Sequence, residues 1–74
     1  MLIAEAIEVI LNSNDRKIVM KDLNVSSPLI SSWRSSTKDR IPHFKIAVKV
    51  FGIYSLVVYP YNEADLRDAW NEIN

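Results

Sequence analysis

Residues that break or cap helices recur along the chain at short intervals: Asn12-Ser13-Asn14-Asp15, Asn24, Ser26-Ser27-Pro28, Pro42, Gly52 and Pro60. Between these punctuation points no stretch has room for more than about four helical turns. A chain of 74 residues assembled from such pieces has a small core, because a domain of this size buries only ~60% of the surface its unfolded form exposes. It has no Cys, and therefore no disulfide staple. Helical packing or self-association must supply the cohesion.

The stretches between the breaks read mostly as amphipathic helices. Residues 2–11 place Leu2, Ile3, Ala6, Ile7 and Ile10 on one face with Glu5 and Glu8 on the other. The polar cluster at 12–15 stops that helix and caps the next, whose apolar positions are Val19, Met20 and Leu23. Asn24 follows, the residue after Gly that best tolerates a left-handed backbone. Ser26-Ser27-Pro28 then opens a helix in which a serine caps and Pro occupies the first turn, where its missing N–H costs nothing. Ile41-Pro42 opens a fourth helix carrying Ile46, Ala47 and Val50, with Gly52 as its natural C-cap. Residues 53–59 are β-branched and aromatic, which favours a strand but also fits a buried helical turn. Asn62 caps a last helix whose apolar face is Leu66, Ala69, Trp70 and Ile73. The expected fold is mostly α, with four to five helices and at most one strand, in a single domain spanning residues 1–74.

Nine Lys+Arg balance nine Asp+Glu, but the charges are segregated. Residues 1–15 carry Glu5, Glu8 and Asp15 and no base, a net −3; residues 16–49 carry eight bases against Asp22 and Asp39, a net +6; residues 50–74 carry four acids against Arg67, a net −3. A basic middle between acidic ends fits either the footprint of a polyanion partner or a dipolar surface with no partner. Other chemistries are poorly provided for. One His and no Cys leave no His-pair motif and no Cys-based zinc site, one Gly leaves no phosphate-cradling loop, and no nucleophile–base pair is evident, so neither an enzyme nor a cofactor or small-molecule substrate is expected. The start lacks a basic leader, and the longest uncharged run falls short of the ~20 residues a membrane span requires. The expected location is therefore the cytoplasm.

The informative stretch is residues 16–35. With Arg16 as the first position, apolar residues stand at the fourth, eighth, tenth, fifteenth and eighteenth: Val19, Leu23, Val25, Ile30 and Trp33. Asn24 fills the ninth, where a left-handed conformer is needed. This pattern resembles the helix-turn-helix of DNA-binding regulators, although Met20 stands at the fifth position where that family prefers Ala. The run Ile30-Ser31-Ser32-Trp33-Arg34, with Arg40-Ile41-Pro42 after it, is similar to a signature of phage repressors of the Cro and CI kind, with Arg40 one residue closer to Ile41 than usual. Residues 48–53 resemble the end of their next helix, Val48 replacing the usual Ala. The resemblance covers residues 16–53; residues 54–74 match no tail of that family.

The resemblance implies a sequence-specific regulator of double-stranded DNA in a bacterial or phage-infected cell. Its second motif helix would lie in the major groove with Ser27, Pro28, Ser31, Ser32 and Ser35 facing base edges. Arg34, Lys38 and Arg40 would reach phosphate or guanine, while Arg16, Lys17, His43 and Lys45 would grip the phosphate backbone. A lone strand leaves its ladder unpaired, so a homodimer is expected, either through a ribbon from residues 53–59 (Ile53, Leu56, Val58) or helix to helix through Leu66, Trp70 and Ile73. The competing expectation is a helical protein-interaction module, such as an antirepressor or antitoxin-like adaptor with an acidic tail.

Overall fold

The computed structural model describes residues 1–35 and 40–73. Among these residues there are five helices: α1 (Ile3–Ser13), α2 (Arg16–Leu23), α3 (Ser27–Ser35), α4 (Phe44–Tyr54) and α5 (Glu63–Ile73). The mostly α expectation holds, and no strand occurs among the described residues. None of the helices is long and apolar enough to cross a membrane.

Side-chain chemistry sets the breaks between the first three helices. Asn14 donates its Nδ2 to the Ile10 carbonyl at 2.8 Å, closing the end of α1. Asp15 accepts from the Lys17 N–H at 2.7 Å as the N-cap of α2. At the other end of α2, Asn24 is left-handed (φ 55°, ψ 50°) and the Val25 N–H reaches back to the Met20 carbonyl at 3.0 Å, a Schellman-type closure. Ser26 then caps α3 by accepting from the Leu29 N–H at 3.3 Å.

The core runs through all five helices. Ile3, Ala6, Ile7 and Ile10 of α1 meet Ile30 and Trp33 of α3, Val19 and Leu23 of α2, and Ala47, Val48 and Val50 of α4. Val58 and Leu66 complete it, both with no exposed surface. Four of the five apolar positions singled out in residues 16–35 are thus buried, and Val25 is half-buried against them.

Three expectations for the C-terminal part are corrected. The fourth helix begins at Phe44, after a buried Pro42, with His43 as its N-cap: the ring Nδ1 accepts from the Lys45 N–H at 3.2 Å. It does not stop at Gly52. It runs to Tyr54 and is closed by Ser55 in the left-handed region (φ 60°, ψ 36°). Gly52 serves a different purpose, because a Cβ there would collide with the Trp70 ring; its bare backbone lets α5 pack directly on α4.

The strand expected at residues 53–59 is also absent. Ile53 and Tyr54 close α4, and residues 55–58 return along the molecule without a sheet. Part of the backbone here pairs with the N-terminal residue. The Met1 nitrogen donates to the Val57 carbonyl at 3.0 Å, and the Tyr59 N–H donates to the Met1 carbonyl at 2.6 Å. Residue 1 thereby satisfies one carbonyl and one N–H of this segment within the chain. Further on, the Tyr61 hydroxyl donates to the Pro42 carbonyl at 2.7 Å and its ring meets Phe44 edge-on at 5.4 Å. Asn62 then caps α5 by accepting from the Asp65 N–H at 2.8 Å.

Candidate nucleic-acid interface on the third helix

One side of α3 is committed to the core through Ile30 and Trp33, with Leu29 half-buried at its margin. At 100° per residue the opposite side is Pro28, Ser31 and Ser35, and these three are exposed. Ser27 and Ser32 flank the stripe and are half-buried. The five residues expected to face bases therefore form an outer row of three and a pair of shoulders.

Arg16, at the first position of α2, lies across the beginning of this row. Its Nε donates to the Ser27 hydroxyl at 3.2 Å; a terminal nitrogen donates to the Ser27 carbonyl at 3.1 Å and to the Ser31 hydroxyl at 2.7 Å. One planar fork thus fixes the start of α2 to the first turn of α3. The bonds span 11 and 15 residues, so no local periodicity could have announced them. Ser35 donates its hydroxyl to the Ser31 carbonyl at 2.8 Å.

Arg34 is turned toward α1. Its Nε is 3.1 Å from a Glu8 carboxylate oxygen, with both side chains substantially exposed. Glu8, Ser31, Arg34 and Ser35 line a shallow depression of about 330 Å³. An acid from the first fifteen residues therefore sits beside the row, where the segregation of charge along the sequence suggested none. Such an exposed pair contributes only about 0–1 kcal/mol, so Arg34 can exchange partners at little cost.

The other cations fall into two groups. Lys17, on the first turn of α2 beside Arg16, is exposed and takes part in no ion pair among the described residues. Arg40, His43 and Lys45 lie around the start of α4, all exposed. Arg40 and His43 border an open apolar groove of about 350 Å³ lined by Leu29, Trp33, Ile41, Pro42 and Ile46. Lys38 lies outside the described residues. Arg67, the base of the C-terminal third, is engaged by Glu63 at 3.3 Å and lies 5.9 Å above the Phe51 ring.

The residues expected at a dimer interface divide sharply. Val58 and Leu66 have no exposed surface within one chain, so neither is available to a partner while the core is intact. Leu56 is half-buried, and Trp70 is half-buried against Gly52. Only Ile53 and Ile73 of that set are substantially exposed, at 40% and 63%. Burial of Val58 and Leu66 follows from the absence of a strand at residues 53–59 and from the packing of α5 against α4.

Sequence reading also missed a link between α2 and α4. The Tyr54 hydroxyl donates to an Asp22 carboxylate oxygen at 3.1 Å. Burial first, and then the hydrogen bond and charge of Asp22, push the Tyr54 pKa up to about 12. Among the described residues no cluster of His, Cys, Asp and Glu could hold a metal ion. Comparison with protein-family models, curated proteins and solved structures gives no match to this chain.

Proposed function

We propose that this protein is a sequence-specific binder of double-stranded DNA that acts as a transcriptional regulator of the Cro-like helix-turn-helix kind. The observation that carries the reading is the outer row of α3, with Pro28, Ser31 and Ser35 exposed and the Arg16 fork seated at its start. A helix presented in this way, polar outside and anchored inside by Ile30 and Trp33, has the dimensions of a major-groove reader. Pro28 offers apolar contact to a thymine methyl, and the serines offer hydroxyls. Lys17 on one flank and Arg40 and Lys45 on the other supply phosphate contacts. Arg34 joins them when it exchanges Glu8 for a phosphate.

The protein would work in the cytoplasm as a homodimer occupying two half-sites about one helical turn apart, with Ile53 and Ile73 contributing exposed apolar surface to the contact. A protein-interaction adaptor is the second reading, and the observation favouring it is the apolar groove between α3 and α4 with Arg40 and His43 on its rim. A titration of the full chain with mixed-sequence duplex across about 50 to 200 mM salt separates the two. If four to six phosphates are engaged per subunit, log affinity falls against log salt with a slope of roughly −4 to −5. Glu8→Gln removes an acid beside the row and releases Arg34, so it should tighten binding roughly threefold at low salt. Affinity that ignores both salt and Glu8→Gln contradicts the DNA reading.

A further inference from the structure

The row of serines looks chemically uniform, since every hydroxyl carries one hydrogen and two lone pairs. Its surroundings make it unequal. A guanidinium has only donors, so the Ser31 oxygen accepts from Arg16 at 2.7 Å and gives up a lone pair to it. No other protein group among the described residues takes the Ser31 hydrogen, which is left to point outward. Donation by a cation also polarises that O–H and strengthens it as a donor. Ser35 has the reverse arrangement. A carbonyl can only accept, so the 2.8 Å bond to the Ser31 carbonyl consumes the Ser35 hydrogen and leaves its lone pairs with no donor among the described residues. The two residues lie four apart on one exposed face, ~6 Å along the helix axis, a distance that spans neighbouring base pairs.

We propose that Arg16 and the α3 backbone give the two hydroxyls opposite polarity, so that Ser31 reads a hydrogen-bond acceptor on DNA and Ser35 reads a donor. This rests on the DNA-binding reading above and deepens it. Arg16 becomes a positioning residue for specificity, acting through Ser31, rather than a phosphate contact only. In the major groove the acceptors open to Ser31 are purine N7, guanine O6 and thymine O4; the donors open to Ser35 are cytosine N4 and adenine N6. Ser27 accepts from Arg16 at 3.2 Å and carries the same donor bias at the edge of the row.

The test is selection of bound duplexes from a random pool by the full-length protein, by Ser31→Ala, by Ser35→Ala and by Arg16→Lys, which keeps the charge and loses the fork. The wild-type protein should enrich one position bearing an acceptor and a nearby position bearing an amino donor. Ser31→Ala and Arg16→Lys should relax the first preference by roughly fivefold, with the salt slope of Arg16→Lys unchanged, and Ser35→Ala should relax only the second. A check that needs no variant is 7-deazaguanine or 7-deazaadenine, lacking N7, at a purine selected in the first position; wild-type affinity should fall by a similar factor. If the wild-type protein selects a sequence but Arg16→Lys and Ser31→Ala keep its full preference at every position, the assignment of polarity is overturned while DNA binding stands. If the wild-type protein binds duplex without selecting any sequence, the assignment likewise falls. If it binds no duplex at either salt concentration, the DNA reading falls with it.

Discussion

Between α2 and α3 the chain turns within three residues, and the bonds that fix the turn are polar and largely local: the Asn24 conformer, the Val25-to-Met20 closure and the Ser26 cap. Between α4 and α5 eight residues intervene, and the two helices are joined by shape, with the Trp70 ring lying on the bare backbone of Gly52 and Leu66 sealed in the core. The first region is built from side chains whose preferences declare themselves along the sequence. The second is built from contacts that no single residue announces. A Gly that ends a helix and a Gly that admits a neighbouring helix look identical in one dimension.

The sharpest way to break this contrast is to cut into the second region. Leu66→Ala removes a fully buried side chain and should cost about 3 kcal/mol in a denaturant melt. A loss near zero would mean that α5 is an appendage rather than part of the core. Next in size is Gly52→Ala. Helix propensity alone would make it stabilising by about 1 kcal/mol, but collision with the Trp70 ring should reverse the sign and leave a net loss of about 1–2 kcal/mol. Combining it with Trp70→Ala should abolish that reversal, so that Ala at position 52 becomes favourable in the double variant. Additive losses would show that the close approach is not what demands Gly.

The smallest effect joins the two regions. Tyr54 favours its protonated form in the folded protein, since burial and Asp22 push its pKa from the ordinary 10.0 up to about 12. The contribution is fully present below pH 10 and lost as pH rises through 12. Tyr54→Phe should lower stability near neutrality by about 1 kcal/mol and flatten the alkaline loss between pH 10 and 12. An unchanged alkaline limb would show that the Asp22 contact contributes little.

The same division explains what could be read in advance. The first three helices, the caps between them and four buried core positions of the hairpin followed from amphipathic spacing and from Asn24, because those signals act over a few residues. The strand at residues 53–59 did not materialise: Ile53 and Tyr54 lie in α4, and beyond it the Val57 carbonyl and the Tyr59 N–H pair with Met1. At the candidate interface the exposed face of α3 was legible from periodicity. The Arg16 fork and the Glu8–Arg34 pair were not, since each joins residues far apart in the chain. Both change the chemistry of the face, one by orienting hydroxyls and the other by placing an acid next to them.

The most direct test of that face is a map of backbone amide shifts in the full chain as duplex DNA is added. The proposed function predicts the largest changes at Arg16, Lys17, Ser27, Ser31 and Ser35, with smaller ones at Arg40, Lys45 and the exposed Ile53 and Ile73. Changes concentrated on α5 or around Ile41 and Ile46, with α3 undisturbed, would contradict it.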